Sequence, residues 1–115
     1  MSENCVFCRI IAGEMPSDFI YQDEEMVAFR DIHPVAPTHI LLVPREHIES
    51  VPSLQPHHEG LAGRMILRAQ ALAEAEGIAA AGYRLVVNSG SDSGQAVAHI
   101  HMHLIGGRKL DNRIG

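Results

Sequence analysis

The segment His99-Ile100-His101-Met102-His103 alternates imidazole and apolar side chains, and Leu104 and Ile105 prolong the apolar run. Such alternation suits an extended strand. Successive side chains point to opposite faces, so the three rings share one face at ~6.5–7 Å spacing while Ile100, Met102 and Leu104 point into a core. The pattern predicts a strand over residues 99–105, stopped by Gly106-Gly107. Three rings on one face suit a phosphate or metal site, and spacing alone leaves three readings open. In one, the rings ligate a metal, since H-x-H suits zinc. In the second, one ring is a nucleophile on phosphorus and its neighbours supply protons and positive charge. In the third, the rings lie on a solvated face. Imidazole suits phosphoryl chemistry near neutral pH because it attacks when neutral and donates when protonated. Neighbouring cationic rings repel, so the cluster resists full protonation.

The segment feeding this strand, Ser89-Gly90-Ser91-Asp92-Ser93-Gly94-Gln95, is polar and glycine-rich. Its hydroxyls and its glycine-permitted backbone suit an oxyanion cradle, against the plain alternative of a hairpin loop. The only cysteines are Cys5 and Cys8, a C-x-x-C pair. Two cysteines are too few for a disulfide framework, and the pair does not follow a strand as a thioredoxin-like redox motif would. It reads as half a zinc site awaiting two more ligands.

At 115 residues the chain is expected to be one domain, residues 1–115, with a core that is aliphatic because aromatic residues make up only 4%. The net charge of −5 disfavours non-specific nucleic-acid binding, although a small anionic substrate remains compatible with local positive potential. The first thirty residues show no signal h-region, and no run reaches the ~20 apolar residues of a membrane span, so a cytoplasmic location is expected.

Along the chain, residues 7–12 predict a short helix ended by Gly13. Residues 19–22 and 26–31 flank the acidic Asp23-Glu24-Glu25 and predict a hairpin. Two prolines make residues 33–37 a rigid loop, and residues 39–43 read as a central strand closed by Pro44. Residues 53–76 predict the one long helix, with Ala62, Met65, Ile66, Ala69, Leu72 and Ala73 as its buried stripe and Gly77 as its cap. Residues 83–88 read as a further strand. Strands separated by one long helix give an α+β class with a largely antiparallel sheet.

The triad fits the pattern His-φ-His-φ-His-φ-φ, φ being apolar, and the chain resembles the histidine-triad (HIT) family, closest to its Hint branch. Further stretches carry the likeness: Cys5-Val6-Phe7-Cys8-Arg9-Ile10-Ile11, Ala28-Phe29-Arg30-Asp31-Ile32, Ala36-Pro37-Thr38-His39, Val43-Pro44-Arg45-Glu46-His47, Tyr83-Arg84-Leu85-Val86-Val87-Asn88, Gly94-Gln95 and Gly106-Gly107-Arg108. It extends over about residues 4–108. The resemblance implies a five-stranded antiparallel sheet with one long and one short helix, dimerising into a ten-stranded sheet.

It also implies hydrolysis of purine nucleoside phosphoramidates through a nucleotidyl-histidine. His101 would be the nucleophile, His103 would contact phosphate oxygens, and His39 would sit near the phosphate and leaving group. Asn88 and the backbone of Gly94, Gln95 and Ala96 would hold the phosphate, and Asp31 the ribose. Ile32, Phe7, Ile10 and Phe29 would line the base pocket, although Ile10 and Phe29 equally suit a core. Relatives complete the C-x-x-C pair with two histidines around a structural zinc, here Cys5, Cys8, His47 and His99. That leaves His101 bare on a sheet edge, and His33, His57 and His58 on the surface. The alternatives are a dinucleoside polyphosphate hydrolase, or a nucleotide- or partner-binding module with weak catalysis. The sequence departs from the animal pattern at Ala96, where a serine donates to the leaving amine, and in the tail after Arg108, which shapes leaving-group preference in the family. Expected partners are purine nucleoside monophosphates, phosphoramidates and a second copy of the chain.

Overall fold

The computed structural model describes residues 4–112. Cys5 caps a six-residue helix, α1 (Val6–Ile11), by accepting the Cys8 N–H on its sulfur. Strands β1 (Phe19–Gln22) and β2 (Met26–Arg30) form the expected hairpin. Asp23 shapes its turn, because Oδ1 accepts the N–H groups of both Glu25 and Met26, at 2.8 and 2.9 Å. Strand β3 (Thr38–Pro44) is buried along its whole length, which explains its unbroken apolar run. Two 3-10 turns, Val51–Ser53 and Pro56–His58, lead into α2 (Glu59–Ala75). Strand β4 (Tyr83–Val86), a third 3-10 turn (Ser91–Ser93) and β5 (Met102–Gly106) complete the chain.

All pairings are antiparallel, and the strand order is β1-β2-β3-β5-β4. Helix α2 covers one face, over Met26, Ala28, Ile40, Leu42, Met102 and Leu104. Helix α1 covers part of the other, over Val27, Phe29, Leu41 and Val43. The period of two along β3 divides its side chains between these two cores.

Four expectations need correction. The long helix begins at Glu59 rather than at residue 53, because Pro52 and Pro56 each lack an N–H and lock their own φ, so the chain winds in short turns first. Its stripe is Leu61, Met65, Ala69, Leu72 and Ala73, whereas Ala62 and Ile66 are exposed. The last strand starts at Met102, not at residue 99. Pairing with β3 ends at Leu42–Met102, and the next turn of the ladder would require an N–H that Pro44 does not have. The Pro44 carbonyl takes the His99 ring instead, and the Ile100 N–H bonds the Ile48 carbonyl. Finally, β5 is an interior strand flanked by β3 and β4, so its histidines do not lie on a sheet edge.

Gly77 ends α2 as expected, at φ +76°, a conformation costly for any residue with a Cβ. Ile78 N–H bonds the Ala73 carbonyl and Gly77 N–H the Glu74 carbonyl, the two bonds of a Schellman cap. The end of α2 is tied to β2 by Arg30, whose two guanidinium nitrogens each donate to Glu76 at 2.9 Å.

Candidate active site and an adjoining Cys-His cluster

The backbone before β5 carries His99 to the N-terminus of α1. Its ring is fully buried, and Nε2 lies 2.8 Å from the Pro44 carbonyl. A carbonyl only accepts, so Nε2 holds the proton and Nδ1 presents its lone pair to the sulfurs of Cys5 and Cys8, at 3.3 and 3.6 Å. His47 Nδ1 approaches the Cys8 sulfur at 3.2 Å. One ligand atom from each of Cys5, Cys8, His47 and His99 falls within 4.8 Å of every other. Desolvation lowers the His99 pKa, against the opposing Pro44 contact, which keeps it a neutral lone-pair donor. Two thiols and two imidazoles of this tautomer are a donor set that fits tetrahedral zinc.

The next two histidines differ in the proton they show. His101 Nδ1 lies 2.8 Å from the His99 carbonyl, so Nδ1 carries hydrogen and Nε2 keeps a lone pair. The ring is only 5% exposed and stands edge-on to Phe7, centroids 5.0 Å apart. It is therefore not bare, contrary to expectation. Its Nε2 still touches solvent. That atom has no hydrogen-bond partner among the described residues, and no described buried polar side-chain atom lacks one.

His103 is arranged the opposite way. The Val35 N–H donates to His39 Nδ1 at 3.2 Å, so neutral His39 carries its hydrogen on Nε2. That hydrogen points at His103 Nδ1, 2.9 Å away, and so places the proton of neutral His103 on Nε2. Desolvation lowers both pKa values, that of His103 to about 4, with neighbouring histidines adding to the shift and Asp31 opposing it. Asp31 Oδ2 stands 3.4 Å from His39 Nε2. The site therefore presents a lone pair on His101 beside an N–H on His103, with ring centroids 5.0 Å apart.

A buried neutral histidine has a consequence for stability. The unfolded chain takes up a proton near the ordinary imidazole value of 6.5, but folded His103 waits until about 4. The unfolded state thus binds more protons in that window, and stability falls as pH drops from 6.5 towards 4. Thermal melts across this range are expected to show that decline, and His103→Asn is expected to flatten it.

The Ser89–Gln95 loop differs from an open cradle. Gly90 and Gly94 do adopt positive φ. The Gly94 and Gln95 N–H groups, however, donate to the Ser91 and Gly90 carbonyls, and Ser93 Oγ donates to the Gly90 carbonyl. Asn88 Nδ2 closes the loop on the Ser93 carbonyl at 2.8 Å. The Gln95 side chain accepts the Gly90 N–H and donates to the carbonyls of Glu49 and Val97. The groups expected to grip phosphate thus hold the loop in shape, and Ala96 N–H is not among these internal bonds. On the nucleoside side, Phe7, Ile10 and Phe29 are buried in the α1 core, with Phe7 and Phe29 edge-to-face at 5.6 Å. Ile32 is 83% exposed, and Asp31 Oδ1 accepts the His33 N–H.

Two features escaped the sequence reading. His58 is buried, not on the surface. Its Nδ1 accepts the Gln55 N–H at 2.9 Å and its Nε2 donates to Glu46 at 3.0 Å, a reciprocal cap whose signal was the spacing Gln55-x-x-His58. The second is a cavity beside His39, His103 and Asn88 that Arg84 and Arg108 also line. Its signal was Arg84 alternating with Tyr83 and Leu85.

Residues 12–110 match the family model described as "HIT domain". The chain is 53% identical over 110 residues to the purine nucleoside phosphoramidase of Escherichia coli K12, covering 96% of this chain and 92% of that protein. Among solved structures, the HIT family hydrolase of Legionella pneumophila superposes with a TM-score of 0.94 at 45% identity, covering 97% of this chain and all of that one. That of Clostridium thermocellum gives 0.95 at 43% identity, covering 99% of both.

Proposed function

The chain belongs to the HIT family, and from that membership and the proton arrangement of the triad we propose that it hydrolyses purine nucleoside phosphoramidates. One observation carries the reading: His101 Nε2 offers a lone pair to solvent while the adjoining His103 Nε2 offers a hydrogen. The first atom attacks the α-phosphorus. The second donates to a phosphoryl oxygen, where negative charge grows in the transition state.

The P–N bond breaks as the His101–phosphorus bond forms, and the amine departs after taking a proton from solvent. Because Nδ1 keeps its hydrogen bond to the His99 carbonyl, the nucleotidyl-histidine is held in one orientation. Water then attacks phosphorus, the P–N bond to His101 breaks, and nucleoside monophosphate and the water's two protons are released. Ala96 has no hydroxyl, so solvent rather than a side chain at that position protonates the leaving amine. In this reading Asp31 takes the ribose hydroxyls and Ile32 is the exposed wall of the base site. Phe7, Ile10 and Phe29 form its buried floor. Asn88, Gly94, Gln95 and Ala96 frame the phosphate, with some internal loop bonds exchanged for contacts to it.

Cys5, Cys8, His47 and His99 would hold a structural zinc, four ligands with no open position. It would supply rigidity and no chemistry. A single domain, a cytoplasmic location and a homodimer belong to the same reading. In support of pairing, β4 is an edge strand, with Leu85 on it and Val87 just beyond both exposed. No helix of the described residues is long and apolar enough to cross a membrane.

Acid quenching during turnover of adenosine 5′-monophosphoramidate is expected to trap protein carrying one nucleotidyl group on His101, detected by peptide mass. Turnover with no trapped adduct at any quench time would remove the covalent step. Faster hydrolysis of a diadenosine polyphosphate than of the phosphoramidate would favour the neighbouring family activity.

A further inference from the structure

A second cavity, of about 420 Å³, borders the Cys-His cluster. Cys5 and His47 line it, together with Glu49 and the run Ala96, Val97 and Ala98. Cys8 is not on its wall and is only 2% exposed. A small polar molecule entering this space therefore meets the sulfur of Cys5 first, with that of Cys8 screened behind it. The Cys8 N–H donates to the Cys5 sulfur at 3.4 Å, which holds that sulfur over the first turn of α1.

The two sulfurs are close to each other as well as to the imidazoles. They lie within 4.8 Å and both face His99 Nδ1, and the chain has no other cysteine to compete for either. Closing them to the ~2 Å of a disulfide is a matter of side-chain rotation within one helical turn. The cluster is also joined to the triad by two routes. The His99 carbonyl fixes the tautomer of His101, and residues 96–98 run from the proposed phosphate frame to His99 along the cavity wall. A change at the two sulfurs is thus one residue's backbone away from the attacking ring.

We propose that Cys5 and Cys8 form a reversible redox switch, in which hydrogen peroxide reaching Cys5 through this cavity closes a Cys5–Cys8 disulfide and lowers turnover. The Cys5 sulfur bonds one peroxide oxygen as the O–O bond breaks, and the departing oxygen leaves as water with the thiol proton. The Cys8 sulfur then attacks the Cys5 sulfur. The S–S bond forms, the S–O bond breaks, and a second water leaves with the other thiol proton. Two thiols are oxidised and one peroxide is reduced to two waters; where the sulfurs are metal-bound, solvent supplies both protons. Disulfide sulfurs no longer offer the thiolates that zinc requires, so His47 and His99 alone cannot retain it. The oxidation stands on the two sulfurs, and its effect on turnover rests on the phosphoramidase reading.

The test titrates the full wild-type chain, as purified, with hydrogen peroxide beside a zinc-responsive dye. The peptide joining Cys5 to Cys8 is expected to become two hydrogens lighter, with about one zinc released per disulfide formed. The melting temperature should fall by roughly 5 °C or more. The kcat for adenosine 5′-monophosphoramidate should fall by roughly ten- to hundredfold, the cost of displacing a reacting group by about 1 Å. Dithiothreitol with added zinc should restore all three. Dimedone present during oxidation should label Cys5 in preference to Cys8, and Cys8→Ser should raise that label if it folds; if it does not, the wild-type label decides. Methionine sulfoxide appearing while both thiols stay intact overturns the proposal, as does a disulfide between chains. So does a disulfide that leaves kcat unchanged, or a loss of activity that dithiothreitol and zinc do not reverse. Absence of turnover before any peroxide is added would sink the phosphoramidase reading instead, with disulfide and zinc still measured. A chain that purifies without zinc fails the zinc reading, and the disulfide, kcat and its reversal then decide.

Discussion

Replacing His101 by alanine is expected to lower kcat for adenosine 5′-monophosphoramidate by at least ~10⁴-fold, the scale seen when a covalent nucleophile is deleted. Affinity for adenosine monophosphate should stay within about tenfold by calorimetry, because the proposed ribose and phosphate contacts belong to other residues. Alanine also removes a ring packed edge-on to Phe7 and leaves the buried backbone of His99 without its donor, so some loss of stability accompanies it. His101→Asn separates the two effects. An asparagine amide can reproduce the Nδ1–H bond to the His99 carbonyl but offers nothing at the position of Nε2. It should fold nearly as the wild type does and be as inactive as the alanine variant. Turnover within tenfold of wild type in either variant would show that another group attacks phosphorus.

His101 stands out in the sequence because the alternation of imidazole and apolar side chains is a local property. The burial of Met102 and Leu104 on β5 follows from it directly. The Asp23 turn, the apolar run of β3 and the Gly77 cap are local in the same sense, each decided by a few neighbouring residues. What could not be read depends on distant partners. Whether β5 lies at an edge is set by the crossover that inserts it between β3 and β4. Ile66 matches the helical period yet points to solvent, because the covered arc of α2 is centred on Leu61, Met65 and Leu72. The tautomers that distinguish His101 from His103 are imposed by the His99 carbonyl and the Val35 N–H, groups the composition of the triad does not reveal. The serine-glycine loop has the donors of an anion cradle, but its own acceptors compete for them. In the fold, the Gly90, Ser91 and Ser93 carbonyls take several of those donors. The four candidate ligands Cys5, Cys8, His47 and His99 span 94 positions, and only the family resemblance joined them.

Removing metal from the Cys-His cluster is expected to have the second large effect, on stability first. The purified chain should carry about one equivalent of zinc, and stripping it with a strong chelator should lower the melting temperature by roughly 10 °C or more. That corresponds to ~2–3 kcal/mol for a domain of this size, well below the binding free energy of zinc-finger peptides because two hydrophobic cores remain. Cys8→Ser should reproduce the loss and make the melt insensitive to chelator, since Cys8 faces both His47 and His99. Activity should follow, for a geometric reason. The carbonyl that fixes the His101 tautomer belongs to His99, whose ring is the candidate ligand contributed by the segment before β5. With the cluster emptied, the His99 ring keeps its bond to Pro44 and only thiol contacts to Cys5 and Cys8 in place of a metal bond, and the carbonyl that orients the nucleophile is expected to loosen with it. The loss should therefore appear mainly in kcat, with monophosphate affinity less affected, and nitrogen-15 shifts of the His101 ring should report a mixed tautomer in the stripped protein. A chain that purifies without metal and melts at the same temperature before and after chelation would show that Cys5, Cys8, His47 and His99 are held together by packing and hydrogen bonds alone.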